Sequence, residues 1–70
     1  MERIKVESSN LKSIGYSEKE LVLEIEFKSW WIYQYKNVPL KVYNSLIQAE
    51  SLGSFFSKNI KWKFEYEKLK

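Results

Sequence analysis

Neither cysteine nor histidine occurs anywhere in this 70-residue chain, and that absence constrains the fold more than any residue present. So small a domain barely offsets its ordering entropy by apolar burial, which is why many such chains rely on disulfides or a structural metal. Without cysteine, disulfides and thiolate metal sites are both excluded. Without histidine, the commonest general base and zinc ligand go as well. Aromatic packing is what remains. Three Trp, five Tyr and four Phe make up 17% of the chain, each ring able to bury about 150 to 250 Å². A single domain over residues 1–70 with a ring-rich core is the expectation.

Hydrophobic periodicity then assigns the elements. Ile4 and Val6 alternate with Arg3, Lys5 and Glu7 as a short strand that Ser8-Ser9-Asn10 ends. Leu11 to Tyr16 reads as a second strand, with Gly15 marking a bulge or a close backbone approach. Leu21, Leu23, Ile25 and Phe27 alternate with Val22, Glu24 and Glu26 in the clearest strand of the chain. A tight turn at Lys28-Ser29 leads into Trp30 to Lys36, where Trp31, Tyr33 and Tyr35 share one face and Trp30, Ile32 and Gln34 the other. Pro39 suits the first turn of a helix, whose apolar stripe is Val42, Tyr43, Leu46, Ile47 and Ala49. Gly53 is expected as its left-handed cap, with Ser54 capping a short turn of helix through Lys58. Ile60, Trp62, Phe64 and Tyr66 alternate with charges as a last strand. The fold expected is α+β: a curved antiparallel sheet of about five strands, β-β-β-β-α-β along the chain, with one main helix packed on one face. Leu23, Ile25, Phe27, Leu46 and Trp62 are expected to be buried together.

The chemistry these residues permit is narrow. No apolar run reaches the roughly 18 residues of a membrane span, and the N-terminus has no signal-peptide core, so a soluble cytoplasmic protein is expected. Asp is absent, which excludes EF-hand-like loops, and no Gly-rich phosphate cradle occurs. Glu24 and Glu26 lie on one strand face, but Lys61 and Lys63 are expected as their cross-strand partners, so the pair reads as a solvated charged face rather than a catalytic dyad. No catalytic residue, metal or cofactor is expected.

Four ordered stretches carry a family resemblance. They are Val6-Glu7-Ser8-Ser9-Asn10-Leu11 with Ile14-Gly15-Tyr16, then Leu23-Glu24-Ile25-Glu26-Phe27, then Tyr33-Gln34-Tyr35-Lys36-Asn37-Val38-Pro39, then Ala49-Glu50-Ser51-Leu52-Gly53-Ser54-Phe55-Phe56. Together, over roughly residues 4–66, they resemble a KTSC domain. The family takes its name from an occurrence at the C-terminus of a lysyl-tRNA synthetase, and it also includes short bacterial and phage proteins. The resemblance implies a small α+β fold, an association with RNA or other nucleic acid, and no known catalytic activity. One departure stands out: where the family has Gly in the hairpin before the Tyr-x-Tyr pair, this chain has Trp30. A different type of turn, with Trp30 exposed at its tip, is the expectation.

Two partner classes follow. Residues 1–35 carry net charge −1 and residues 36–70 carry +4. Lys36, Lys41, Lys61 and Lys63 in the positive half are candidate phosphate contacts for RNA or another single-stranded nucleic acid, since lysine neutralises phosphate while rings stack on bases. The competing reading of Trp62 and Phe64 is core packing, with their lysine neighbours on a solvated face. The other partner class is a protein, or a second copy of the chain. Placing Trp31, Tyr33 and Tyr35 in the core turns Trp30 and Ile32 outward as a candidate interaction patch, against a crowded hairpin edge or a second small core. Tyr16 joins the candidates from the family-like motif, its alternative being a structural residue with a locally satisfied hydroxyl.

Overall fold

In the computed structural model, which describes residues 3–69, five strands form one antiparallel sheet in the order β1-β2-β3-β4-β5. The strands are β1 (Arg3–Lys5), β2 (Leu11–Ser17), β3 (Val22–Phe27), β4 (Ile32–Tyr35) and β5 (Tyr66–Lys68). Two helices, α1 (Leu40–Gln48) and α2 (Leu52–Asn59), come between β4 and β5. The α+β class and the antiparallel sheet are as expected, but the chain order is β-β-β-β-α-α-β and the single main helix is corrected to two.

Alternation decides which face is covered. Pairing sets Ile14 opposite Ile25 and Tyr16 opposite Leu23, and on the other side of β3 sets Ile25 opposite Tyr33 and Leu23 opposite Tyr35. These residues point to the helices. Leu11, Ile14, Leu23, Ile25, Tyr35, Val38, Leu46, Phe56 and Ile60 are buried as one cluster. The opposite face is polar. There the Arg3 Nε lies 3.2 Å from Glu24, Lys12 Nζ reaches Glu26 at 4.0 Å, Ser13 donates to Glu26 at 2.8 Å, and the Gln34 amide donates to Glu24 at 3.0 Å. The cations beside Glu24 and Glu26 are Arg3 and Lys12 and not the expected Lys61 and Lys63, because β1 and β2 supply that face while Lys61 and Lys63 lie in the turns after α2.

Local details depart from the expected ones for physical reasons. α1 ends without a glycine: Ala49 is extended, and Ser51 caps α2 by accepting from the Ser54 backbone N–H at 3.3 Å. Gly53 therefore lies inside α2, beside Ser8 and Asn10, and Ser54 is the donor of the cap, not its acceptor. Pro39 sits at the cap of α1, just before the first helical residue. The bulge of β2 falls between Leu11 and Ser13, while Gly15 keeps regular register with Arg3 and Glu24.

The largest correction is at the C-terminus. Ile60 to Phe64 is a run of turns, with the Lys61 N–H donating to Phe56 O at 2.9 Å and the Lys63 N–H to Ile60 O at 3.0 Å. Hydrogen bonds that continue from the end of α2 override the alternating pattern, so Ile60 is buried, Phe64 is half-buried and Trp62 is 77% exposed. Of the expected core set, Leu23, Ile25 and Leu46 are buried, Phe27 packs half-buried against them, and Trp62 lies outside.

Candidate functional site

The helices leave the β4–β5 end of their sheet face open, and an aromatic cleft of about 390 Å³ occupies the gap. Alternation along Trp31, Tyr33 and Tyr35 aims these rings to one side, and Tyr66 of β5 pairs with Tyr35. Tyr33 and Tyr66 stack with centroids 5.3 Å apart and planes 1° from parallel; Trp31 lies parallel to Tyr33 at 6.3 Å. Phe56 of α2 closes the back, edge-on to Tyr35 at 5.4 Å. Trp62, carried outward by the turns after α2, forms part of the opposite wall.

The charge of the lining is one-sided. Lys28 and Lys61 line the cleft and no carboxylate does. Lys68 adds a cation at one end, its ammonium 3.8 Å from the Trp31 ring centroid. Polar groups at the margin come from Ser9, Asn10, Ser29 and Ser57. At the floor, burial pushes the Tyr35 phenol well above its ordinary value, and the neighbouring Tyr33 and Tyr66 phenols push it further. Among the described residues no group of acidic side chains is placed to hold a metal ion, and no helix is long and apolar enough to cross a membrane. What the arrangement can do is accept a flat, partly apolar ligand and meet negative charge at its edge.

The residues singled out in the sequence are scattered. Lys61 lines the cleft; Lys36 instead pairs with Glu67 at 3.9 Å, and Lys41 and Lys63 are exposed elsewhere, on the first turn of α1 and in the turns after α2. Trp30 is 69% exposed at the β3–β4 turn, as expected, with Lys12 4.8 Å from its ring centroid. Its φ of 78° is the left-handed conformation that favours glycine. Trp30 thus occupies a backbone conformation that glycine adopts more readily than a bulky residue. Ile32 is half-buried on the polar face. Tyr16 lies at the far end of the sheet, stacked on Tyr43 at 4.6 Å, and its hydroxyl donates to Val38 O at 2.6 Å. Burial, and then Glu18, raise that phenol's pKa. Trp30, Ile32 and Tyr16 therefore do not form one continuous patch.

Sequence reasoning missed Lys28 in the cleft lining, Lys68 over the Trp31 ring and Tyr66 stacked on Tyr33. The signal for Trp31 was present, since it shares alternation with Tyr33 and Tyr35, but all three were assigned to the core.

Comparison with known proteins places the chain. The family model of the KTSC domain matches residues 7–64. The crystal structure of a KTSC domain protein from Yersinia pestis superposes with a TM-score of 0.96 at 39% identity, covering 99% of this chain and 97% of that one. A protein of Stutzerimonas stutzeri is 41% identical over 61 residues, 87% of this chain and 86% of its own length. A lysine–tRNA ligase of Nostoc punctiforme is 42% identical over 66 residues, which are 94% of this chain but 12% of the ligase. On the family match and these relatives, the chain belongs to the KTSC domain family.

Proposed function

We propose that this domain is a noncatalytic module that holds single-stranded RNA in the aromatic cleft. The observation that carries the reading is the lining itself: exposed rings of Trp31, Trp62 and Tyr66 beside Lys28 and Lys61, with no acidic side chain among them. Rings stack on bases for about 1 to 3 kcal/mol each, and lysines neutralise phosphates. A proline-rich peptide also favours aromatic grooves, but it gains nothing from the lysines. The cleft's ionisable groups are lysines and phenols, which suits binding better than acid–base catalysis near neutral pH. A tRNA ligase that carries a 42% identical segment adds an RNA setting, and such a module would work in the cytoplasm.

The test is retention of a labelled single-stranded RNA at low salt, followed across a salt titration. Each neutralised phosphate contributes about −0.7 to the slope of log K against log salt, so Lys28→Gln with Lys61→Gln should flatten it by about 1.4. Lys41→Gln, away from the cleft, should change it far less. No retention of the parent at low salt, or an equal effect of Lys41→Gln, overturns the reading. A second reading, self-association through the exposed Trp30, predicts a dimer in sedimentation that Trp30→Gly dissolves.

A further inference from the structure

We propose that the cleft takes one unstacked base at a time, its edge hydrogen-bonded by the Tyr35 hydroxyl at the floor, with the phosphates left outside at Lys28 and Lys61. This rests on the RNA-binding reading and specifies how that site discriminates.

Size sets the first limit. About 390 Å³ lies near the lower end of the roughly 300 to 1,000 Å³ of single-ligand sites. That suits a base with part of its sugar, not a continuous stack of several.

The Tyr35 hydroxyl supplies the second argument. Tyr35 is only 2% exposed. Its ring packs against Tyr33, Phe56 and Tyr66, and its hydroxyl has no hydrogen-bond partner among the described residues. Yet no buried polar side-chain atom among the described residues lacks a partner. The hydroxyl is therefore the part of Tyr35 that stays accessible, and Tyr35 lines the cleft. Contrast Tyr16, whose hydroxyl is committed to Val38. One phenol is used by the fold and the other is left for a ligand.

Polarity separates base from phosphate. The floor is made of Tyr33, Tyr35, Phe56 and Tyr66, where a buried phosphate would lose hydration without a cation beside it. The lysines are exposed at the margin, where an anion keeps its water. A neutral base is the part of a nucleotide that such a floor accepts. A phenol keeps its proton at neutral pH, and burial favours that form further at Tyr35, so its hydroxyl can donate to a base carbonyl or accept from an exocyclic amine.

The experiment uses uridine 5′-monophosphate, adenosine 5′-monophosphate, ribose 5-phosphate and inorganic phosphate as probes, followed by amide chemical shifts of residues around the cleft. At least one nucleotide should shift Tyr33, Tyr35 and Tyr66, while ribose 5-phosphate and phosphate at the same concentration should not. Tyr35→Phe keeps the ring and breaks no internal hydrogen bond, so it should melt like the parent. It should weaken nucleotide and RNA binding about three- to tenfold, with the salt slope for RNA unchanged. If RNA binds the parent but Tyr35→Phe binds it equally, or ribose 5-phosphate competes as well as a nucleotide, the single-base inference fails and the RNA reading survives. If neither RNA nor any nucleotide binds, or a proline-rich peptide alone shifts these residues, both fail.

Discussion

Arg3 and Glu24 form an ion pair at 3.2 Å although their strands are not neighbours. Both pair with Gly15 of the intervening β2, one from each side. Adjacent strands lie about 4.8 Å apart, so the two side chains must converge over roughly twice that distance. Glycine puts no side chain in their way, so of the two readings of Gly15, a bulge or a close approach, the bulge is the one its regular register excludes. A double-mutant cycle on Arg3→Ala and Glu24→Gln should give a coupling of about 0.2 to 1 kcal/mol, the range of partly exposed pairs. In a Gly15→Val background the coupling should vanish, and its persistence there would show that the pair does not depend on the gap.

Trp30 tests the cost of a left-handed bulky residue. At φ 78° it carries about 1 to 2 kcal/mol of strain. Offsetting this is a Lys12 contact with its ring, worth about 0.5 to 1 kcal/mol at an exposed site. Trp30→Gly relieves the strain but adds chain entropy, so its stability should fall within about 1 kcal/mol of the parent. Trp30→Val loses the ring contact and keeps a worse strain. Urea denaturation should rank Val below Gly by at least about 1 kcal/mol; equal stabilities would remove the strain argument.

Leu46 and Trp62 should respond in opposite ways to truncation. Leu46 is fully buried, and Leu46→Ala should cost about 2 to 5 kcal/mol, enough to unfold much of so small a domain. Trp62 is 77% exposed, and Trp62→Ala should cost under about 1 kcal/mol. Thermal melts of the two variants decide the matter. A comparable loss in Trp62→Ala would return that ring to the core.

Stability should decline above about pH 10, with Tyr35 contributing. Burial, followed by Tyr33 and Tyr66, raises its folded-state pKa above the ordinary 10.0. Between the unfolded and folded values the native chain retains a proton that the unfolded chain has released. The contribution is thus fully present below the unfolded pKa and is lost as pH rises from there through the folded pKa, at up to about 1.4 kcal/mol per pH unit for one proton. Denaturation at pH 8, 9, 10 and 11 should show a shallower fall for Tyr35→Phe, with a remainder from Tyr16, whose pKa is also raised. Identical profiles for parent and variant would contradict the Tyr35 assignment.

Much of the sheet and of α1 was legible because local pattern and burial agree there. Leu23 and Ile25 alternate with Glu24 and Glu26, and the structure buries the first pair and ion-pairs the second. Val42, Tyr43 and Leu46 at helical spacing face the core as their period requires. The family resemblance, read from four short motifs, was legible for the same reason: those motifs hold the strands and the α2 start in place.

The cleft was not legible, since it exists only where distant segments meet. Lys28 comes from a hairpin turn, Lys61 from the turns after α2, and Tyr66 from an edge strand, and nothing in their sequence spacing links them. By itself the sequence determined that the chain would be ring-rich, free of cysteine and histidine chemistry, and built on alternating strands, because composition and period act through near neighbours. Tertiary structure alone decided that Trp62 faces outward and that the final strand begins at Tyr66. An alternating run such as Ile60 to Phe64 satisfies its hydrogen bonds equally in a sheet or in successive turns, and the preceding helix, by offering Phe56 O, settles which.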